Sequence, residues 1–352
     1  MTALYEIQPA PALSAQSSIL TSLPILILNV HSRCNCRCVM CDIWKRDQSK
    51  EMRTVDLERH RASMQKLGVQ RVVLTGGEPL LHNDLKAFCE FFREQNIRLT
   101  LLTTGLLLLK RAGSVAALFD DVILSLDGPE DIHDAVRRVV GGFSLIQKGV
   151  AAVRKLNPGM KISCRTTVQK ANHMHLRDAV AAAKSLTLDS ISFLPADLTS
   201  AAFNRAEGWP LSRQSEIALT LTELAALRQE IELLIETHAN DIQSGYIAES
   251  ASKLRHIADR FREHLYAERG SAPRCNAPWV SAVVDVDGLV RPCFFHPPIG
   301  DLKRTTLEEA LHGAAAQNFR NSLDVATNPT CQRCVCSLNY QSATSMPRSS
   351  TN

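Results

Sequence analysis

Three things are scarce in this 352-residue chain: net charge, long apolar runs and low-complexity sequence. The formal net charge is +4, too little for the electrostatic footprint of a nucleic-acid binder. The apolar stretches at residues 23–30 and 99–109 are too short to cross a bilayer. The first 32 residues carry one charged side chain, Glu6, and no Lys or Arg, so the basic region of a secretory signal is missing. With 45% hydrophobic and 22% charged residues, the composition excludes a disordered chain, a collagen and a coiled-coil rod. The expectation is a cytoplasmic protein with no nucleic-acid partner and no membrane insertion.

What the chain does have is cysteine, 11 residues of it. A chain this long folds without covalent staples, cytoplasmic thiols stay reduced, and an odd number cannot all pair. Spacing suggests another use. Cys34, Cys36, Cys38 and Cys41 crowd one segment, and Cys331, Cys334 and Cys336 another, with Cys275 and Cys293 between them. Clustered, reduced cysteines read as metal or iron–sulfur ligands. The isolated Cys89 and Cys164 read as packing residues.

Strand-like and helix-like segments alternate along the first two-thirds of the chain. Strands are expected at 24–30, 71–74, 98–103, 122–126, 161–168 and 190–194. Helices are expected at 55–67 with Thr54 as N-cap, and at 84–95, 143–156 and 175–186. Six strands alternating with helices imply an α/β fold of parallel units curled into a partial barrel, with apolar strand interiors. Two longer helices, 215–238 and 252–266, follow and pack on their own domain. From residue 272 the texture changes to short strands, turns and cysteines. The expected organisation is a mobile arm at 1–22, a barrel at 23–210, a helical connector at 211–271, a small domain at 272–340 and a loose tail at 341–352.

The first cysteine loop follows the first strand. Cys34, Cys38 and Cys41 form C-x3-C-x2-C, which can turn three thiolates onto three corners of one [4Fe–4S] cube and leave the fourth iron open. Structural zinc wants four ligands and fits this spacing poorly. Cys36 reads as a bystander. The second strand runs into Gly76-Gly77-Glu78-Pro79, where two glycines let backbone approach a ligand and Glu78 can accept from an ammonium group. Ser125 and Asp127, two apart, share a strand face; Asp127 can alternatively cap the turn after it. On the fifth strand Ser163, Arg165 and Thr167 share the inward face, and Arg165 suits a carboxylate; an exposed or salt-bridged arginine is the alternative. Asp197 closes the sixth strand as a weak substrate contact. The basic residues Arg33, Arg37, Lys45 and Arg46 read as a solvated rim.

These motifs resemble the radical S-adenosylmethionine (radical SAM) superfamily, whose C-x3-C-x2-C loop follows the first strand of a partial (β/α)6 TIM-like barrel. The resemblance implies that SAM binds the open iron. It places Met40 against the adenine, Gly76, Gly77, Glu78 and Pro79 on the methionine amino group, Ser125 near the ribose or carboxylate, and Asp127 near the substrate. Downstream, His133, Asp134 and Arg137 follow a pattern common in the family.

The second cysteine set lies on a hairpin turning at Asp287-Gly288 and on the C-x2-C-x-C knuckle at 331–336. Four cysteines in two groups also suit zinc. The set resembles the SPASM/Twitch extensions of radical SAM enzymes, which implies one auxiliary [4Fe–4S] cluster on Cys275, Cys293, Cys331 and Cys334, with Cys336 as substitute. The implied activity is reductive cleavage of SAM to a 5′-deoxyadenosyl radical and abstraction of a substrate hydrogen atom, for an oxidation, an epimerisation or a peptide or natural-product modification. The implied partners are a flavodoxin- or ferredoxin-like electron donor and either a small-molecule substrate or a peptide delivered by a separate protein. A non-catalytic iron–sulfur or zinc-binding protein is the competing class.

Overall fold

The computed structural model describes residues 20–341; the expected arm and tail fall almost entirely outside that range. The described residues form one nine-stranded sheet, in which the six barrel strands lie side by side in chain order and three later strands extend the edge beside the first. The strands β1 (Ile25–His31), β2 (Arg71–Gly76), β3 (Arg98–Thr103), β4 (Asp121–Ser125), β5 (Lys161–Val168) and β6 (Ser190–Pro195) are all mutually parallel. Each lies within two residues of its expected position at either end. Helices pack on the outer face, as right-handed crossovers require. There Leu26, Leu28, Val72, Leu74, Leu99, Leu101, Val122, Leu124, Ile162 and Cys164 are buried. The inner face is not uniformly apolar as expected. Arg71 reaches across three strands to Asp121 Oδ2 at 2.5 Å and Thr100 Oγ1 at 2.7 Å, because a charge facing the barrel interior must carry its own partner.

Two helix expectations are corrected. The segment 55–67 is two short helices, α1 (Thr54–Glu58) and α2 (Arg61–Lys66). Thr54 is the first helical residue, and the N-cap is Arg53 with no side-chain bond. The break at His60 buries its ring, whose Nδ1 accepts the Leu307 N–H at 3.2 Å. The helices α3 (Leu85–Arg93), α4 (Leu108–Leu118), α5 (Glu130–Arg137), α6 (Gly142–Leu156) and α7 (Leu176–Ser185) follow. The segment 215–238 divides into α8 (Leu211–Ser215) and α9 (Leu221–Thr237). A capping box sets the start of α9, with Thr220 and Glu223 satisfying each other's backbone N–H groups.

The short α10 (Ala239–Gln243) leads into residues 246–248, which bond to Ile191 and cover the free edge of β6. Helix α11 (Ala251–Leu265) then packs Leu254, Ile257 and Phe261 inward. The cysteine-rich region is joined to the barrel sheet. After α12 (Ala277–Val280), β7 (Ser281–Val284) pairs parallel with β1, and β8 (Leu289–Arg291) and β9 (Gly300–Asp301) continue antiparallel. The helices α13 (Leu307–His312), α14 (Ala314–Ser322) and α15 (Pro329–Gln332) complete the region. Among the described residues, no helix is long and apolar enough to cross a membrane.

Candidate functional site

The first cysteine loop leaves the C-terminal end of β1, where parallel folds gather their functional groups. It is pinned from three sides. From β2, the N–H groups of Gly77 and Glu78 donate to His31 O and Arg33 O, both at 2.8 Å. From α5, the carbonyls of Arg137 and Val136 accept from Arg37 N at 3.1 Å and Val39 N at 3.0 Å. From residues 197–213, Arg205 donates to Met40 O at 2.8 Å, Asn204 to Asp42 O at 3.0 Å, the Trp209 indole to Asp42 Oδ2 at 2.6 Å, and Arg213 to Val39 O. Arg205 stacks 3.6 Å from the Trp209 ring centroid and pairs with Asp197 at 3.0 Å. Asp197 therefore braces the loop from a buried position, where a substrate contact was expected.

Cys34 and Cys41 are half-buried and Cys36 and Cys38 buried; all eleven cysteines are free thiols. The neighbouring Cys34 and Cys38 thiols, with burial, hold the Cys36 pKa well above the ordinary thiol value. The Cys36 thiol in turn pulls Cys38 down to about 6, assisted by Arg137 and opposed by burial. Burial pushes Cys41 up to about 12. Cys36 thus sits among the candidate ligands and touches two of them.

The glycine pair serves the loop directly. A Cβ on Gly77 would lie 2.0 Å from Arg33 O, and one on Gly76, at φ +118°, 2.8 Å from His31 O. The close approach is to the cysteine loop's own backbone. Glu78 is fully buried and spends both oxygens internally. Oε1 accepts from Leu80 N at 3.0 Å and Thr103 Oγ1 at 2.7 Å, and Oε2 from Thr104 N and Thr104 Oγ1, both at 2.8 Å. The Thr104 hydroxyl also lies 2.9 Å from Asn35 Oδ1; these donors tie the end of β2 to the end of β3 through the carboxylate. Burial raises its pKa and the threonine and backbone donors oppose that.

Asp127 also departs from expectation. It has no exposed surface; one oxygen takes Arg137 Nε at 2.5 Å, the other the Thr167 N–H at 3.0 Å. It holds an arginine and faces no substrate. Nearby His133 is pushed down to about 4, chiefly by burial, and is neutral. Ser125 is half-buried at the end of β4, in register with Arg165. Met40 is buried in the loop.

The second cysteine set is brought together by the fold. Cys275, Cys293, Cys331, Cys334 and Cys336 line one cavity of about 140 Å³ with Ile25, Ile27, Val73, Leu102 and Ile123 of the inner barrel face. The knuckle is stapled to Asn276, whose N–H donates to Leu338 O and whose amide bonds both ways with the Tyr340 backbone. Burial pushes Cys293 up to about 12 and Cys331 to about 11, and raises Cys334 and Cys336. Five half-buried thiols converging on a largely apolar chamber are the donor set a cationic metal centre needs, which fits an iron–sulfur cluster. Arg165 lines this chamber, with Cys336 and Glu249 in its field. It faces the second cysteine set from the inner strand face that alternation assigns to it. His296, unremarked in the sequence, is buried with Nε2 3.5 Å from Cys331 Sγ; nothing in its local sequence signals this.

Comparison with known proteins accords with this arrangement. Residues 28–180 match the family model of the radical SAM superfamily, and residues 275–335 that of the iron–sulfur cluster-binding domain SPASM. The chain is 31% identical over 160 residues to pre-heme d1 synthase of Dinoroseobacter shibae, 44% of this chain and 39% of that one. It is 21% identical over 301 residues to the antilisterial bacteriocin subtilosin biosynthesis protein AlbA of Bacillus subtilis, 83% of this chain and 58% of that one. The match spans about two-fifths of the former's length and under two-thirds of the latter's. Among solved structures, Streptococcus suis SuiB bound to S-adenosylmethionine superposes with a TM-score of 0.63 at 16% identity, covering 91% of this chain and 73% of that one. At that identity the likeness speaks to the fold.

Proposed function

We propose, from the match of residues 28–180 to the radical SAM superfamily and of residues 275–335 to SPASM, that the chain is a radical SAM enzyme that abstracts a hydrogen atom from a carbon of a peptide or small natural product. When bound, a [4Fe–4S] cluster and SAM supply the one-electron cleavage that yields methionine and a 5′-deoxyadenosyl radical. Cys34, Cys38 and Cys41 hold that cluster, three ligands leaving one iron open for SAM. Met40 would contribute an apolar contact to the adenine, the backbone carbonyls of Gly76 and Gly77 would accept from the methionine ammonium, Pro79 would fix their turn, and Ser125 would serve the ribose. Cys275, Cys293, Cys331 and Cys334 hold an auxiliary [4Fe–4S] cluster, with Cys336 the alternative ligand.

The observation that carries the reading is that the second cysteine set lines the barrel's own interior cavity. A group held there lies beside the chamber in which a substrate radical would form. Cys275, Cys293, Cys331 and Cys334 would thereby hold an electron acceptor, the chemistry needed for a two-electron oxidation or a peptide crosslink. A flavodoxin- or ferredoxin-like protein would supply the low-potential electron, and the proposed setting is the cytoplasm, where thiols stay reduced. SuiB was crystallised with its precursor peptide SuiA, and the curated relatives include pre-heme d1 synthase, so the proposed substrate class spans a peptide and a small molecule.

The test is anaerobic reconstitution with iron and sulfide, followed by dithionite and SAM. The wild-type chain is expected to form 5′-deoxyadenosine, a Cys34→Ala variant none, and a Cys275→Ala, Cys293→Ala variant the nucleoside with about half the iron. Absence of 5′-deoxyadenosine from cluster-loaded wild-type protein refutes the reading.

A further inference from the structure

Three arginines hold the first cysteine loop, and they hold it differently. Arg205 and Arg213 donate to the carbonyls of Met40 and Val39. Arg137 goes past the backbone: its Nη1 lies 3.5 Å from Cys38 Sγ while its Nε bonds to Asp127. The pair is sealed, Asp127 at 0% and Arg137 at 7% exposure. Asp127 is itself fixed to β5 and the turn after it, through Thr167 N and through Asn172, whose amide donates to the Asp127 carbonyl at 2.9 Å. Helix α5 stops directly after Arg137. Arg138 takes the left-handed conformation at φ +54°, uncommon for a residue other than glycine. That stop frees the carbonyls of Val136 and Arg137 to bind Val39 and Arg37.

A buried ion pair adds little to stability, because desolvation offsets its attraction. A cation 3.5 Å from a thiolate inside a protein interacts far more strongly than one in water. We propose that Arg137 is a positioning residue that fixes the Cys38 thiolate and raises the reduction potential of the cluster on Cys34, Cys38 and Cys41, with Asp127 tempering the rise. This rests on the function proposed above. The couple is one electron, from [4Fe–4S]2+ to [4Fe–4S]+, supplied by the flavodoxin- or ferredoxin-like donor. A neighbouring positive charge favours the reduced, more negative state.

The experiment is a potentiometric titration of the reconstituted full chain followed by electron paramagnetic resonance. The first cluster's signal is the one that changes on adding SAM. Arg137→Met is expected to lower the reduced-to-oxidised ratio at a fixed potential at least tenfold, or 59 mV for one electron. Asp127→Asn, which leaves the arginine uncompensated, moves it the opposite way. Equal potentials, or shifts of the same sign in both variants, overturn the proposal. A measurement on folded wild-type protein stands independently. With guanidino-15N arginine, double resonance on the reduced cluster should give a nitrogen coupling that Arg137→Lys removes, and its absence overturns the proposal. A wild-type protein that binds no SAM-responsive cluster sinks the functional reading as well; equal potentials in loaded protein sink only the inference.

Discussion

Glu78 offers a sharp test of how the SAM-side strand ends are built. In Glu78→Gln one carboxylate oxygen becomes an NH2 group of almost the same shape. The oxygen pair faces the backbone N–H of Leu80 on one side and that of Thr104 on the other. Whichever way the amide turns, one of these fixed donors meets another donor. The threonine hydroxyls can reverse; a backbone N–H cannot. A buried N–H left without an acceptor costs roughly 1–3 kcal/mol, and the three surviving bonds lose their charge assistance. Relief of the buried charge returns part of this, since burial alone pushes the Glu78 pKa up. The net destabilisation is about 2 kcal/mol, and Glu78→Ala, which orphans both N–H groups and opens a cavity, costs roughly twice that. The assay is urea denaturation of the metal-free protein, wild type against Glu78→Gln, Thr104→Val and the double variant. Shared bonds predict a coupling above about 0.5 kcal/mol. A Glu78→Gln protein as stable as wild type, or strictly additive variants, would refute the account.

Gly77→Ala forces a Cβ to 2.0 Å from Arg33 O, so the cysteine loop must move. Iron bound after reconstitution is expected to fall by more than half, measured by colorimetric iron assay. Gly113→Ala, inside α4 with open space around it, should be neutral or slightly stabilising. Arg165→Met should leave the SAM concentration for half-maximal turnover within about twofold and alter the auxiliary cluster's signal, because the side chain lines that cluster's cavity. Buried His133 and half-buried Glu249 predict opposing pH dependences in the metal-free protein. Burial lifts Glu249 from 4.5 to about 7, so the folded state binds the extra proton and stability falls as pH rises across that window. His133, lowered from 6.5 to about 4, makes stability rise with pH over 4 to 6.5. Each contributes up to about 3 kcal/mol. Glu249→Gln should therefore steepen the rise between pH 4.5 and 6.5, and an unchanged slope in the denaturation midpoint would count against the assignment.

What the sequence made legible was local. Period-two runs such as 98–103 and 161–168 mark strands because side-chain alternation is a property of the strand itself. C-x3-C-x2-C marks a loop of converging thiols because three ligands within eight residues need no distant partner. What failed was set at long range. His60 breaks a helix for the sake of an N–H 247 residues away. The braces on the loop come from Arg137, Arg205 and Trp209, in segments with no motif of their own. Glu78 and Asp127 read as ligand-facing because carboxylates beside glycines at strand ends usually are. Their partners, Thr103, Thr104 and Arg137, lie on other elements, and only the fold reveals that both carboxylates are already spent.

Arg165 shows why strand pattern alone under-determines a site of this kind. Alternation fixes which face of β5 it occupies, and the inner face is where the structure puts it. It does not say what stands across the interior. A partial barrel is open along one edge, and here β7 joins that edge beside β1, bringing the cysteine-bearing hairpin and knuckle to the inner face. An arginine on β5 then looks at thiols donated from residues 275 to 336. Strand β1 serves both cysteine sets: the first loop leaves its C-terminal end, and Ile25 and Ile27 line the cavity of the second. If electrons enter at one set and leave by the other, the substrate must sit between them, within the wall formed by β1 to β5. Substitutions that enlarge that wall, such as Ile27→Ala or Val73→Ala, should therefore alter which substrates are accepted before they alter cleavage of SAM.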